Sequence, residues 1–127
     1  MTYTWVQDAF SKDFGETNGM TWEDKNGQTI YKQTDIPAEY IGGMEALNEF
    51  INKNLEIPKD VEIGTVYVAF VVNADGSLQD ARIVRGVKDS MDQEVLKLIK
   101  NMPKWDPAIQ DGKPVNAVFG LPVQFKL

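Results

Sequence analysis

From Val115 to the end of the chain every second residue is apolar: Val115, Ala117, Phe119, Leu121, Val123, Phe125 and Leu127. An unbroken period of two describes a strand with one face on a core. Pro122 adds a constraint within the plane of the sheet. The N–H and C=O of one residue point to one side of a strand, and those of the next residue point to the other. Proline has no N–H to give a ladder, so its side of a strand is normally the unpaired one. The even-numbered edge, carrying Asn116, Val118, Gly120, Gln124 and Lys126, is therefore predicted to be free. The odd-numbered edge should pair inside the sheet.

Such a strand needs partners and a cover. Gly64 to Val72 reads as a second strand, with Val66, Val68, Phe70 and Val72 on one face and Thr65, Tyr67, Ala69 and Val71 on the other. Asn73-Ala74-Asp75-Gly76 supplies a turn, and Ser77 to Arg85 a third strand with Ala81 and Ile83 inward. Two helices frame these strands. The first follows Gly43, carries the stripe Met44, Leu47, Phe50, Ile51 and Leu55, and stops before Pro58. The second opens on Ser90 and Gln93 as a capping box, buries Met91, Val95, Leu98 and Met102, and ends at Pro103. An Asp111-Gly112 turn precedes the last strand. The fold class is α+β: two helices packed on one face of a small antiparallel sheet, in the core order α-β-β-α-β.

Residues 1–40 form an arm ahead of a domain spanning 41–127. Tyr3, Val6, Phe10 and Phe14 stand at helical spacing over 3–14. Asn26-Gly27 reads as a two-residue hairpin turn, which pairs Lys25 with Gln28 and Trp22 with Tyr31. Residues 33–43 read as a connector broken by Pro37. The aromatic load of the arm (Tyr3, Trp5, Phe10, Phe14, Trp22, Tyr31) argues that it packs on the domain.

Composition narrows the chemistry. The net charge is −6, and residues 1–40 hold seven acidic against three basic residues, so nucleic acid is a poor partner. With no cysteine and no histidine, thiol chemistry, thiolate metal sites and the commonest general base are absent. No metal, cofactor or catalytic residue is expected. Asp75-Gly76 lacks the ligand series of a calcium loop and reads as a turn. Asp89 and Asp92 read as charges at a helix start rather than paired catalytic acids. Gly42-Gly43 lacks the rest of a phosphate loop and reads as a linker. Trp105, between Pro103 and Pro107, reads as a core plug in preference to a ligand platform. No apolar run is long enough to span a membrane. Met1 opens either a cytosolic protein or a piece whose export or anchor segment lies elsewhere.

From about Gly42 onward the chain resembles the C-terminal domain of TonB-type energy transducers. The resemblance rests on Gly64-Thr65-Val66-Tyr67-Val68-Ala69-Phe70-Val71-Val72, Asp75-Gly76 and Ala81-Arg82-Ile83-Val84-Arg85-Gly86. It continues through Glu94, Val95 and Leu98, Trp105-x-Pro107, Lys113-Pro114-Val115 and the closing Leu121-Pro122-Val123-Gln124-Phe125-Lys126-Leu127. Gly42-Gly43-x-Glu45-Ala46-Leu47 is similar to a version of the family found in multi-domain envelope proteins. The chain has Ile57-Pro58 where the family usually has Tyr-Pro, Lys59–Ile63 is short, and residues 1–40 are not a proline-rich spacer.

The resemblance implies a non-catalytic periplasmic domain, anchored to the inner membrane in a full-length protein. It would capture the TonB box, a short extended peptide of an outer-membrane transporter, by strand addition. The implied peptide-binding residues are Asn54 and Glu56 before the Ile-Pro, and Asn116, Val118, Gly120 and Gln124 on the last strand. The implied partners are TonB-dependent outer-membrane transporters, inner-membrane ExbB/ExbD-type proteins where an anchor exists, and a second copy in a homodimer. The alternative is an envelope adaptor of the same fold, strand-paired or domain-swapped, without energy transduction.

Overall fold

The computed structural model describes residues 4–126. Eleven elements follow in order: α1 (Thr4–Phe10), β1 (Gly15–Asn18), β2 (Thr21–Glu23), β3 (Thr29–Tyr31), α2 (Gly43–Asn54), β4 (Gly64–Val72), β5 (Leu78–Arg85), α3 (Asp89–Lys100), β6 (Ala108–Gln110), β7 (Lys113–Val115) and β8 (Ala117–Phe125). The class is α+β, with three helices, a six-stranded sheet in the order β1-β2-β3-β8-β4-β5, and a two-stranded sheet β6-β7. The large sheet is mixed rather than purely antiparallel, because β3 joins β8 in parallel at Tyr31 and Ala117.

The centre is the antiparallel pair β4 and β8, in register without a break from Gly64↔Phe125 to Val72↔Ala117. Alternation along both strands separates two cores. Val66, Val68, Phe70 and Val72 join Ala117, Leu121, Val123 and Phe125 in one cluster with Leu47 and Ile51 of α2 and Met91, Val95, Leu98 and Ile99 of α3. Ala69, Val71 and Val118 face the opposite way, against Val6, Phe10, Phe14, Trp22 and Ile30. Helix α1 and the first strands therefore cover the face that α2 and α3 leave open. Leu127 and the first three residues, Tyr3 among them, lie outside the described residues.

Several local expectations are corrected. The first helix stops at Phe10, and the backbone turns through Asp13 and Phe14 into β1. The Asn26-Gly27 hairpin slips by one residue, pairing Trp22 with Ile30 and Thr21 with Tyr31. Asp24 causes the slip: its Oδ1 accepts the backbone N–H groups of Asn26 and Gln28, each at 2.9 Å. Only Gly27 then takes positive φ, at 81°, in a three-residue loop with a bulge. The slip puts Trp22 in the α1 cluster and Tyr31 against the other one.

Strand β5 carries two register shifts against β4, with Asp80 at φ 55° in one of them, and Ala81 in that bulge is exposed rather than inward. The capping box at α3 does not form. Lys88 is the N-cap without a side-chain bond, and the Ser90 hydroxyl instead donates to Asp60 Oδ1 at 2.7 Å. That bond, chiefly, holds the Asp60 carboxyl below the usual aspartate range. Met44 heads the α2 stripe but is 62 % exposed. The last strand divides at Asn116 into β7 and β8.

Trp105 is 2 % exposed and sits in an aromatic cage, with ring centroids 4.8 Å from Phe119, 5.4 Å from Phe70 and 5.6 Å from Tyr40. The Trp105 backbone N–H donates to the Gly76 carbonyl at 2.9 Å. A Cβ on Gly76 would stand 2.3 Å from the Trp105 carbonyl oxygen, and φ there is 88°, so the turn needs glycine. Trp105 is a core plug, and Trp105→Ala is expected to cost about 3–5 kcal/mol in denaturant unfolding. A second expectation concerns the seam between α1 and β5. Arg82 of β5 donates to the Ala9 carbonyl at 2.9 Å, pairs with Asp13, and stacks 4.5 Å from the Phe10 ring centroid. Arg82→Ala should cost about 1–3 kcal/mol and raise amide exchange in residues 6–14 before residues 66–72.

Candidate functional site

One side of β8 is filled by β4 along its whole length. The other side meets β3 only at the Tyr31↔Ala117 bridge, where the Tyr31 N–H donates to the Asn116 carbonyl at 2.8 Å. This bond fixes the direction of the edge. The Asn116 carbonyl points away from β4, and by alternation so do the backbone groups of residues 118, 120, 122 and 124. Just past the bridge the chain leaves, because the Lys32 N–H bonds the Met20 carbonyl at 2.9 Å. Among the described residues no strand pairs with that edge from Gly120 onward.

The open stretch runs along a trough. A cavity of about 590 Å³ lies where the next strand would be, between β8 residues Ala117–Pro122 and a wall made by Pro37, Ala38, Tyr40, Met44, Leu47 and Trp105. A second cavity of about 530 Å³ continues along Pro122–Lys126, against Asn48, Asn52, Leu55 and Ile57. Met44, and Ile57 at 54 % exposure, leave apolar surface at its rim. The opposite wall is α1. A Cβ on Gly120 would fall 2.1 Å from Val6 Cγ2 and 2.6 Å from Trp5 Cη2, so the helix lies directly over this glycine. The closeness that Gly120 permits is thus used by the chain's own arm on the face of the sheet, while its in-plane backbone groups stay on the open edge.

The residues expected to bind peptide divide accordingly. Gly120 and Gln124 lie on the open stretch. Asn116 does not: β3 takes its carbonyl, and its Oδ1 accepts the Ala74 N–H at 2.7 Å, so the free edge begins later than the alternation predicts. The Val118 side chain is buried in the α1 cluster. In the stretch before Pro58, Leu55 and Ile57 line the trough, whereas Asn54 bonds the Phe50 carbonyl and Glu56 lies 3.6 Å from Lys97. Lys97 is held above the ordinary lysine range, first by its bond to Glu94 and then by the charge of Glu56. Both partners are solvated, so this pair adds little stability. Tyr31, Tyr40 and Met44 are the residues the sequence reading missed. Their signal was the spacing Ile36, Ala38, Tyr40 in the connector, which pairs through Ile36↔Ile109 and Glu39↔Asp106.

No helix among the described residues is long and apolar enough to cross a membrane. The family model of the Gram-negative bacterial TonB protein C-terminal matches residues 59–127, more than half of the chain. The chain belongs to the TonB C-terminal family. No curated protein and no solved structure matches it. The TonB match takes in β4, β5, α3 and β8 and leaves α1 to α2 outside. TonB C-terminal domains are non-catalytic, protein-interacting domains of the Gram-negative periplasm that serve transport. In this TonB-type chain the direction of the open edge has a direct readout. Amides of Gly120 and Gln124 should exchange quickly, and those of Phe119, Leu121 and Val123, which face β4, should be protected.

Proposed function

We propose that this TonB-type domain captures an extended peptide, the TonB box of an outer-membrane transporter, by adding it as a strand to the β8 edge between Gly120 and Gln124. The observation that carries this reading is an unpaired, regular strand edge lying in a trough. Main-chain bonds supply the affinity of strand addition, and side-chain pockets along the trough supply selection. Gly120 and Gln124 offer both N–H and C=O, while Pro122 between them offers only C=O, so the ladder has one missing rung. In a full-length protein the domain would work from an inner-membrane anchor alongside ExbB/ExbD-type proteins, relaying energy to the captured transporter.

A second reading has one observation in its favour. Strand β3 already occupies the start of the same edge, as it would in an envelope adaptor of TonB fold whose edge serves its own assembly and not energy transduction. Titration with a TonB-box peptide separates the two. Capture should move the amides of residues 119–126 in a saturable manner at constant monomer mass. Silence at Gly120 and Gln124, with self-association on concentration, would select the adaptor.

A further inference from the structure

Pro122 lies in the middle of the open edge and lines both cavities of the trough. A visiting strand, whether parallel or antiparallel to β8, presents one carbonyl to the Pro122 nitrogen, which has no hydrogen to give. The flanks of the trough take that carbonyl out of water, and an unpaired buried acceptor is costly. A receiving edge with this gap calls for a donor from outside the ladder.

Helix α2 carries two. Asn48 and Asn52 stand one turn apart on it, and both line the cavity that runs from Pro122 to Lys126. Both are exposed, and neither side-chain amide has a hydrogen-bond partner among the described residues. Asparagine is a poor residue for a helix interior. Asn54, at the end of α2, bonds the Phe50 carbonyl, whereas Asn48 and Asn52 have no such local bond to account for them. A carboxamide can donate without bringing a charge that must be desolvated. Gln124 and Lys126 also carry donors beside this cavity. They alternate with Val123 and Phe125, whose side chains pack in the α2 cluster, so theirs leave on the other face of the sheet.

We propose that the Asn48–Asn52 pair supplies the rung that Pro122 omits: a side-chain N–H of the pair donates to the visitor's carbonyl opposite Pro122. The visitor's main chain is then held from two directions, in the plane of the sheet by Gly120 and Gln124 and from the helix layer by α2. This assignment rests on the strand-addition reading above and adds to it a pair of positioning residues outside the strand.

The test uses the full chain and the same TonB-box peptide. The double variant Asn48→Ala with Asn52→Ala should bind it roughly five- to tenfold more weakly than the parent, as expected for one buried carbonyl losing its donor. Alanine is the better helix former at both positions, so this variant should unfold at no lower denaturant concentration than the parent. Gln124→Ala should bind as the parent does. Pro122→Ala restores a backbone N–H at the gap, and in that background loss of the two asparagines should no longer weaken binding. In the parent, bound peptide should shift a side-chain NH2 resonance of Asn48 or Asn52 downfield and slow its exchange, which gives the answer even if Pro122→Ala folds poorly. Unchanged affinity in the double variant, the same loss in the Pro122→Ala background, or a loss that moves to Gln124→Ala overturns the proposal while leaving strand addition intact, provided Gly120 and Gln124 amides of the parent still shift. If those amides do not shift, strand addition fails and this assignment fails with it.

Discussion

The indole of Trp105 ties together parts of the chain that would otherwise be independent. Its ring touches β4 through Phe70, β8 through Phe119 and the connector through Tyr40, while its backbone holds the β4–β5 turn through Gly76. Helix α3 ends shortly before it, so its position also sets where that helix meets the sheet. The next residue extends the tie, since Asp106 and Glu39 exchange backbone bonds at 2.8 and 3.0 Å. The wall of the trough is thus built from the same contacts that hold the core, and the groove follows from packing without any dedicated element.

The second organising fact is that the β4–β8 pair is buried on both faces. Ala69, Val71 and Val118 are apolar on the side away from α2 and α3, and would be exposed without α1. The arm is therefore part of the fold's hydrophobic economy. Arg82 fastens it by a charge-assisted bond to a helix carbonyl and by stacking on Phe10, two contacts that depend on the β5 bulges for their position.

What could be read from the sequence followed from periodicity. The strand over Gly64–Val72, the helices around Leu47 and Val95, and the helix-facing odd residues of β8 all come from spacing that one core imposes. What could not be read came from competition between local bonds. Asp24 captures two backbone donors and moves the hairpin register, and Ser90 prefers Asp60 to its own helix end. The bulges in β5 leave no mark in hydrophobicity. The edge itself was legible through Pro122, yet its true start was not, because the residue that covers Asn116 is Tyr31, far away in sequence. The stretch from Asn54 to Ile57 was legible as a flank of the edge, but not its facing, because a short extended stretch shows no period long enough to tell Leu55 and Ile57, which line the trough, from Asn54 and Glu56.

The sheet ends in two irregular margins: β1 is out of register between Glu16 and Asn18, and β5 is bulged twice. Neither offers a straight template to another chain. Among the described residues of the large sheet, the regular unpaired stretch of β8 is recessed, with α1 on one flank and α2 with the connector on the other. Access is thus a matter of thickness. A folded sheet margin brings its own neighbouring strand and side-chain layers, and these collide with the flanks before its backbone reaches Gly120. A lone polypeptide thread has no such bulk. The flanks thus make the edge more open to an extended visitor than to a folded one, and what it admits depends on how unfolded the visitor is.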